Sequence, residues 1–158
     1  MSENNVCDIK NIESEAGIIA SIILKPELTF YSEQLKPNHF TDEQNAYIYY
    51  AVCELAKRGI GKVDAYNITN ILSMKKGTEK QAKQITIQAL NDLIEIAKVI
   101  ARDSVEEYKL LVNNVLEAAF RRDTYNKLVE CERLCFNSSE ASIEQKIYSA
   151  LDDVMMEY

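Results

Sequence analysis

Residues that break a helix are scarce in this 158-residue chain. It has four glycines and two prolines, and the last of them is Gly77. From Thr78 to Tyr158 neither type occurs, so the second half lacks the strongest turn formers. No stretch alternates apolar and polar residues over a strand's length, and no Asn-Gly or Asp-Gly turn is present, which excludes a hairpin-rich β fold. Histidine occurs once, at His39, and the four cysteines contain no Cys-x-x-Cys, so a Cys/His zinc site is poorly supplied. Glu-x-x-His is missing too, which argues against a di-iron bundle. The nearest approach to a phosphate-binding loop is Gly61-Lys62, but Ala56 stands where the leading glycine belongs and Val63 follows the lysine. No apolar run approaches the ~18–20 residues of a membrane span, and the polar start Met1-Ser-Glu-Asn-Asn is no secretory signal. Basic residues are outnumbered, 18 against 25 acidic, giving a net charge of −7. That balance argues against broad, sequence-independent nucleic-acid binding, which needs Lys and Arg to neutralise phosphates, while leaving room for a local basic patch. These absences predict a cytoplasmic protein with no membrane contact, no catalytic residues, no metal and no cofactor, and DNA contact only through partners.

What remains is a globular composition, 47% hydrophobic and 27% charged. A chain this long buries ~68–70% of its unfolded surface and needs no staple. The fold class read from it is all-α: a compact helical head followed by a long antiparallel helical hairpin. Residues 1–10 read as a flexible tail, 11–102 as the head and 103–158 as the hairpin. In the head, Ile12 to Leu24 is an unusually apolar helix, and Pro26 ends it or begins the next turn. A short helix over Glu27 to Gln34 and a connector through Phe40 come next. Thr41 and Gln44 form a capping box for a helix from Asp42 to Arg58, which Gly59 stops. Asp64 caps a helix from Ala65 to Ser73, and a further helix is expected from Lys80 to Ile100.

The most distinctive stretch is Ser104 to Phe136. Ser104 and Glu107 make a capping box, and the unbroken run from there to Phe136 predicts a helix of roughly 32 residues, about three times the common length. After a turn at Asn137-Ser138-Ser139, Ser142 and Gln145 offer another capping box. Ile143, Ile147, Leu151, Val154 and Tyr158 then repeat at helical period. The long helix carries apolar residues over too broad an arc for one neighbour to cover. Its first half is expected to face the head and its second half the closing helix. The surplus predicts a second subunit. Candidate interface residues are Tyr108, Leu111, Val115, Tyr125, Leu128, Ile143, Ile147, Leu151 and Val154. Arg121 and Arg122, the one adjacent arginine pair, are read as salt-bridging residues or as a site for binding a partner protein or nucleic acid. Cys131 and Cys135 share a helix face and read as small buried hydrophobes. The tyrosines at 47, 49 and 50 read as core or interface.

The order of these features resembles the N-terminal domain of DnaB-type replicative DNA helicases. The resemblance begins at Glu15-Ala16-Gly17-Ile18-Ile19-Ala20-Ser21-Ile22-Ile23-Leu24-Lys25-Pro26-Glu27-Leu28 and continues at Leu35-Lys36-Pro37-Asn38-His39-Phe40. It extends through Asn45 to Val52, Val63-Asp64 with Ile71-Leu72, Ser104-Val105-Glu106-Glu107-Tyr108 and Arg121-Arg122. Each motif is short, and their order and separations carry the likeness across most of residues 12 to 154. Two departures mark a divergent member, of the kind found in phages and mobile elements. The family's glycine pair is replaced by Lys80 to Gln88, and its proline before the hairpin by Ala101-Arg102. The resemblance implies pairing through the hairpins, a ring built as a trimer of dimers, and a surface for primase and for a helicase loader. It implies that the ATPase motor lies in a separate C-terminal domain not contained in this chain. A helicase-binding domain of a primase is similar in fold, and a small all-α enzyme is a further alternative.

Overall fold

A computed structural model of the chain describes residues 9–74, 85–102, 104–136 and 142–158. Cys7, the connector at 75–79, the expected helix start at Lys80 and the turn at 137–139 lie outside the described residues. Among the described residues the regular structure is helical throughout. Two short 3-10 segments, Pro26–Tyr31 and Pro37–His39, accompany six α-helices: α1 (Ile12–Leu24), α2 (Glu43–Lys57), α3 (Ala65–Met74), α4 (Ile87–Ile100), α5 (Val105–Phe136) and α6 (Ile143–Glu157).

Among the described residues two compact units divide the chain: Asn11–Leu116, and Glu117–Tyr158 with Ile9 and Lys10. The boundary therefore falls inside α5 rather than before it, because the first turns of α5 are buried in the head. Tyr108, Val112 and Val115 are each at most 1% exposed and belong to the same core as Ile18, Ile22, Val52 and Leu72.

α1 is the centre of the head. Ile18, Ile19, Ala20 and Ile22 are fully buried, and the helix packs on α2, α4 and the first 3-10 segment. A helix apolar on nearly every side is stable only where it is covered on nearly every side. α2 packs in turn on α3 and on both 3-10 segments, and α3 reaches α4. Close approach of α5 to α1 depends on Gly17: a Cβ there would stand 2.9 Å from the Cδ1 of Leu111.

Caps account for the helix starts, with two changes from expectation. Asp42, not Thr41, caps α2, its carboxylate accepting from the Asn45 amide at 2.9 Å. The Thr41 and Asp42 amides instead donate to the buried Glu15 carboxylate at 2.7 and 3.1 Å. Ser142 precedes α6 but its side chain does not cap it, since its backbone is left-handed (φ 66°) and capping favours an extended one. Asp64 caps α3 as expected, with its carboxyl held below the usual range, first by the Asn67 amide. At α5, Ser104 Oγ accepts from the Glu107 amide at 3.1 Å, and its hydroxyl donates to the Glu107 carboxylate at 3.2 Å. The helix they open runs for 32 residues, about 48 Å at ~1.5 Å per residue. The short helix expected from Glu27 to Gln34 is a 3-10 segment that ends at Tyr31. The stop is local: the Ser32 amide donates to the Thr29 carbonyl and the Ser32 side chain turns inward.

Candidate assembly and docking surface

Helix α5 from Glu117 onward and α6 form the second unit. At its far end the Tyr158 hydroxyl donates to the Asp123 carboxylate at 2.7 Å, and its ring meets Phe120 edge-on at 5.4 Å between centroids. Since α6 comes after Phe136 in the chain and its end returns to Phe120 and Asp123, the two helices run antiparallel. Ala119, Cys131, Leu134, Ala150 and Val154 are buried in this unit. Burial and the Asp123 hydrogen bond push the Tyr158 phenol up.

The opposite side of α5 is exposed among the described residues. Tyr125, Leu128, Val129 and Phe136 are 38%, 53%, 45% and 82% exposed. At about 100° per residue they fall within about 100° of one another, so they lie on one side of the helix. Arg121 lies on the same side. α6 adds a second exposed stripe, Tyr148, Leu151 and Met155, at three- and four-residue spacing. Single exposed apolar residues are ordinary, whereas several on one side of a helix make a candidate interaction surface.

The nine expected interface residues divide into three groups. Tyr125, Leu128 and Leu151 are exposed. Leu111, Ile143 and Ile147 are half-buried. Tyr108, Val115 and Val154, at 0%, 1% and 8% exposure, are core positions rather than the expected interface ones, because the chain's own packing consumes them. The two arginines are also separated. Arg121 is exposed and pairs with Glu117 one turn back, an arrangement that adds little stability at a surface. Arg122 is half-buried and its Nη1 donates to the Ile9 carbonyl at 3.5 Å. Of the two cysteines on the shared face, Cys131 is buried and Cys135 is exposed.

The hydroxyl of the buried Tyr108 is satisfied by a network that the sequence did not announce. Ser32 Oγ lies 2.9 Å from the Tyr108 hydroxyl and 3.0 Å from that of Tyr49, and the Tyr49 hydroxyl also donates to the Ser32 and Leu35 carbonyls. Burial is the first cause pushing both phenols up, Tyr108 to about 12. Val129, Phe136, Tyr148 and Met155 were missing from the expected interface, although their spacing from Tyr125 and Leu151 was available to place them.

Among the described residues no group of three His, Cys, Asp or Glu side chains could hold a metal ion. No helix there is long and apolar enough to cross a membrane.

Comparison with known proteins agrees with this architecture. The family model described as the DnaB-like helicase N-terminal domain matches residues 8–114. Among solved structures, the crystal structure of the N-terminal domain of DnaB helicase from Mycobacterium tuberculosis superposes with a TM-score of 0.72. At 17% identity it covers 92% of this chain and 97% of its own, a likeness of fold. A search of curated proteins gives no match. With two thirds of its length matched by that family model, this chain belongs to the DnaB-like helicase N-terminal domain family.

Proposed function

We propose that this domain is a non-catalytic assembly and docking module of a replicative helicase in the cytosol. Two copies pair through the uncovered face of α5 and α6, pairs collect into a ring as a trimer of dimers, and the ring receives primase or a helicase loader. DNA is met only through these partners, and ATP hydrolysis belongs to a motor domain. The observation that carries the reading is the set Tyr125, Leu128, Val129 and Phe136, apolar, solvent-facing and on the side of α5 away from its buried residues. Arg121, on that same side, is the charged residue best situated to meet a partner, while Arg122 is engaged with the Ile9 carbonyl.

Leu128→Asp tests this. The site is more than half exposed, so the change leaves the isolated fold intact. A carboxylate placed at the centre of a paired apolar surface costs about 3 kcal/mol, or roughly a hundredfold in association. Sedimentation equilibrium reads the association and circular dichroism the helicity. Full helicity with unchanged association sinks the pairing surface. A strict monomer at high concentration that binds neither primase nor loader sinks the function.

A further inference from the structure

We propose that the head carries a docking groove for a basic, amphipathic helix of a partner protein, laid along the outward face of α2. The inference rests on reading the chain as a docking domain, but it uses the head alone. Three hollows meet end to end there. The largest, about 460 Å³, opens between α2 and the 3-10 segments. A second of about 270 Å³ shares Pro37 and Tyr50 with it, and a third of about 190 Å³ shares Phe30 and Ala56. The α2 residues lining them include Glu43, Tyr47, Tyr50, Glu54 and Lys57. These recur every three or four positions and so form one helix face, about 21 Å long at ~1.5 Å per residue. A partner helix of about four turns has the same length.

The walls and rim define the occupant's chemistry. Phe30 lines two of the hollows while 62% exposed, an aromatic ring held out of the core where it can anchor a partner. Among the described residues lining the hollows are four carboxylates, Glu27, Glu33, Glu43 and Glu54, and two ammonium groups, Lys36 and Lys57. Lys57 is already paired with Glu54 at 3.1 Å. An acidic rim around an apolar floor, on a chain of net charge −7, favours a segment with apolar anchors flanked by Lys or Arg. The α2 wall has its backbone groups committed within the helix, and no strand edge exists among the described residues for an extended peptide to join. A wall whose own residues recur at helical spacing matches recognition of apolar anchors on a partner helix, and the proline-rich control below tests the other mode that needs no strand edge.

The chain supplies its own reporters. Cys53 is half-buried in the largest hollow, and Cys135 is exposed on α5. The probe is a synthetic amphipathic helix of leucine and lysine, about four turns long. Its controls are the same peptide with glutamate for lysine and a lysine-bearing proline-rich peptide. Iodoacetamide labelling of the full chain, read by mass spectrometry, follows both thiols. The leucine–lysine helix should slow labelling of Cys53 several-fold and leave Cys135 unchanged. Glu33→Lys with Glu43→Lys, both at exposed positions, should abolish the protection while helicity persists. Protection of Cys135 instead, equal protection by the glutamate peptide, protection by the proline-rich peptide alone, or no protection would each overturn the groove. Sedimentation of the same samples without peptide separates the two claims. Pairing with Cys53 unprotected removes only the groove, and Cys53 protection without pairing removes only the hairpin interface.

Discussion

Ser32→Ala is the most diagnostic perturbation of the head, because one small side chain serves two buried phenols. Ser32 is 1% exposed, Tyr49 3% and Tyr108 0%. With alanine at 32, Tyr49 keeps the Ser32 and Leu35 carbonyls at 3.2 and 3.3 Å. Tyr108 loses the one hydrogen bond its hydroxyl makes among the described residues. A buried hydroxyl left without a partner costs about 1–3 kcal/mol beyond the ~1 kcal/mol of the bond itself, so Ser32→Ala should lose about 2–4 kcal/mol. Tyr108→Phe keeps the ring in place and leaves Ser32 bonded to Tyr49 and to the Thr29 carbonyl. It should cost only about 1 kcal/mol. In the double variant the orphaned phenol is gone, so its loss should not exceed that of Ser32→Ala, a negative departure from additivity. Urea unfolding followed by far-ultraviolet circular dichroism, compared at equal m, measures all three. If Tyr108→Phe costs as much as Ser32→Ala, or if the two losses add, the serine is not the hub of this network.

The raised Tyr108 pKa carries a pH dependence. The folded value of about 12 lies above the ordinary value of 10.0, so the stabilisation is complete below about pH 10 and is lost as pH rises through about 12; Tyr108→Phe should make this alkaline limb shallower in urea titrations. Glu15→Gln replaces a carboxylate that accepts two backbone amides with a group that has one acceptor. It should lose about 2 kcal/mol and lower the melting temperature, and an unchanged melt would refute the tether. Tyr158→Phe keeps the Phe120 contact and removes the bond to Asp123. With the ring 42% exposed, the cost should stay below about 1 kcal/mol, and hydrogen exchange should rise in the last turn of α6 without a shift in the global midpoint.

Local rules made much of the fold legible. Asp64 and Ser104 were readable as caps because a cap is a contact between residues three apart, and the bonds at Asn67 and Glu107 are of that kind. Where a local rule failed, neighbouring geometry had decided otherwise. Asp42 rather than Thr41 offers the side chain that accepts from the Asn45 amide, while Glu15, distant in sequence, holds the amides of both. Ser142 lost the capping role through a left-handed backbone. The candidate interface was legible only in part. Tyr108 and Leu128 are both apolar residues on the same helix, yet one is sealed and the other is 53% exposed. Periodicity identifies the apolar side of a helix and not the element that covers it. Arg121 and Arg122 illustrate the same limit, since neighbours on a helix point about 100° apart and these two meet different partners.

The sequence by itself determined that the chain is helical, where most helices begin and end, and that one helix runs for 32 residues. Those properties arise from hydrogen bonds and caps that span four residues or fewer. Only the tertiary structure decided that α5 changes surroundings at residue 116, that Tyr108 hangs on Ser32 across 76 positions, and which side of its second half is left exposed. Burial is a property of distant segments brought together, and no spacing along one helix encodes it.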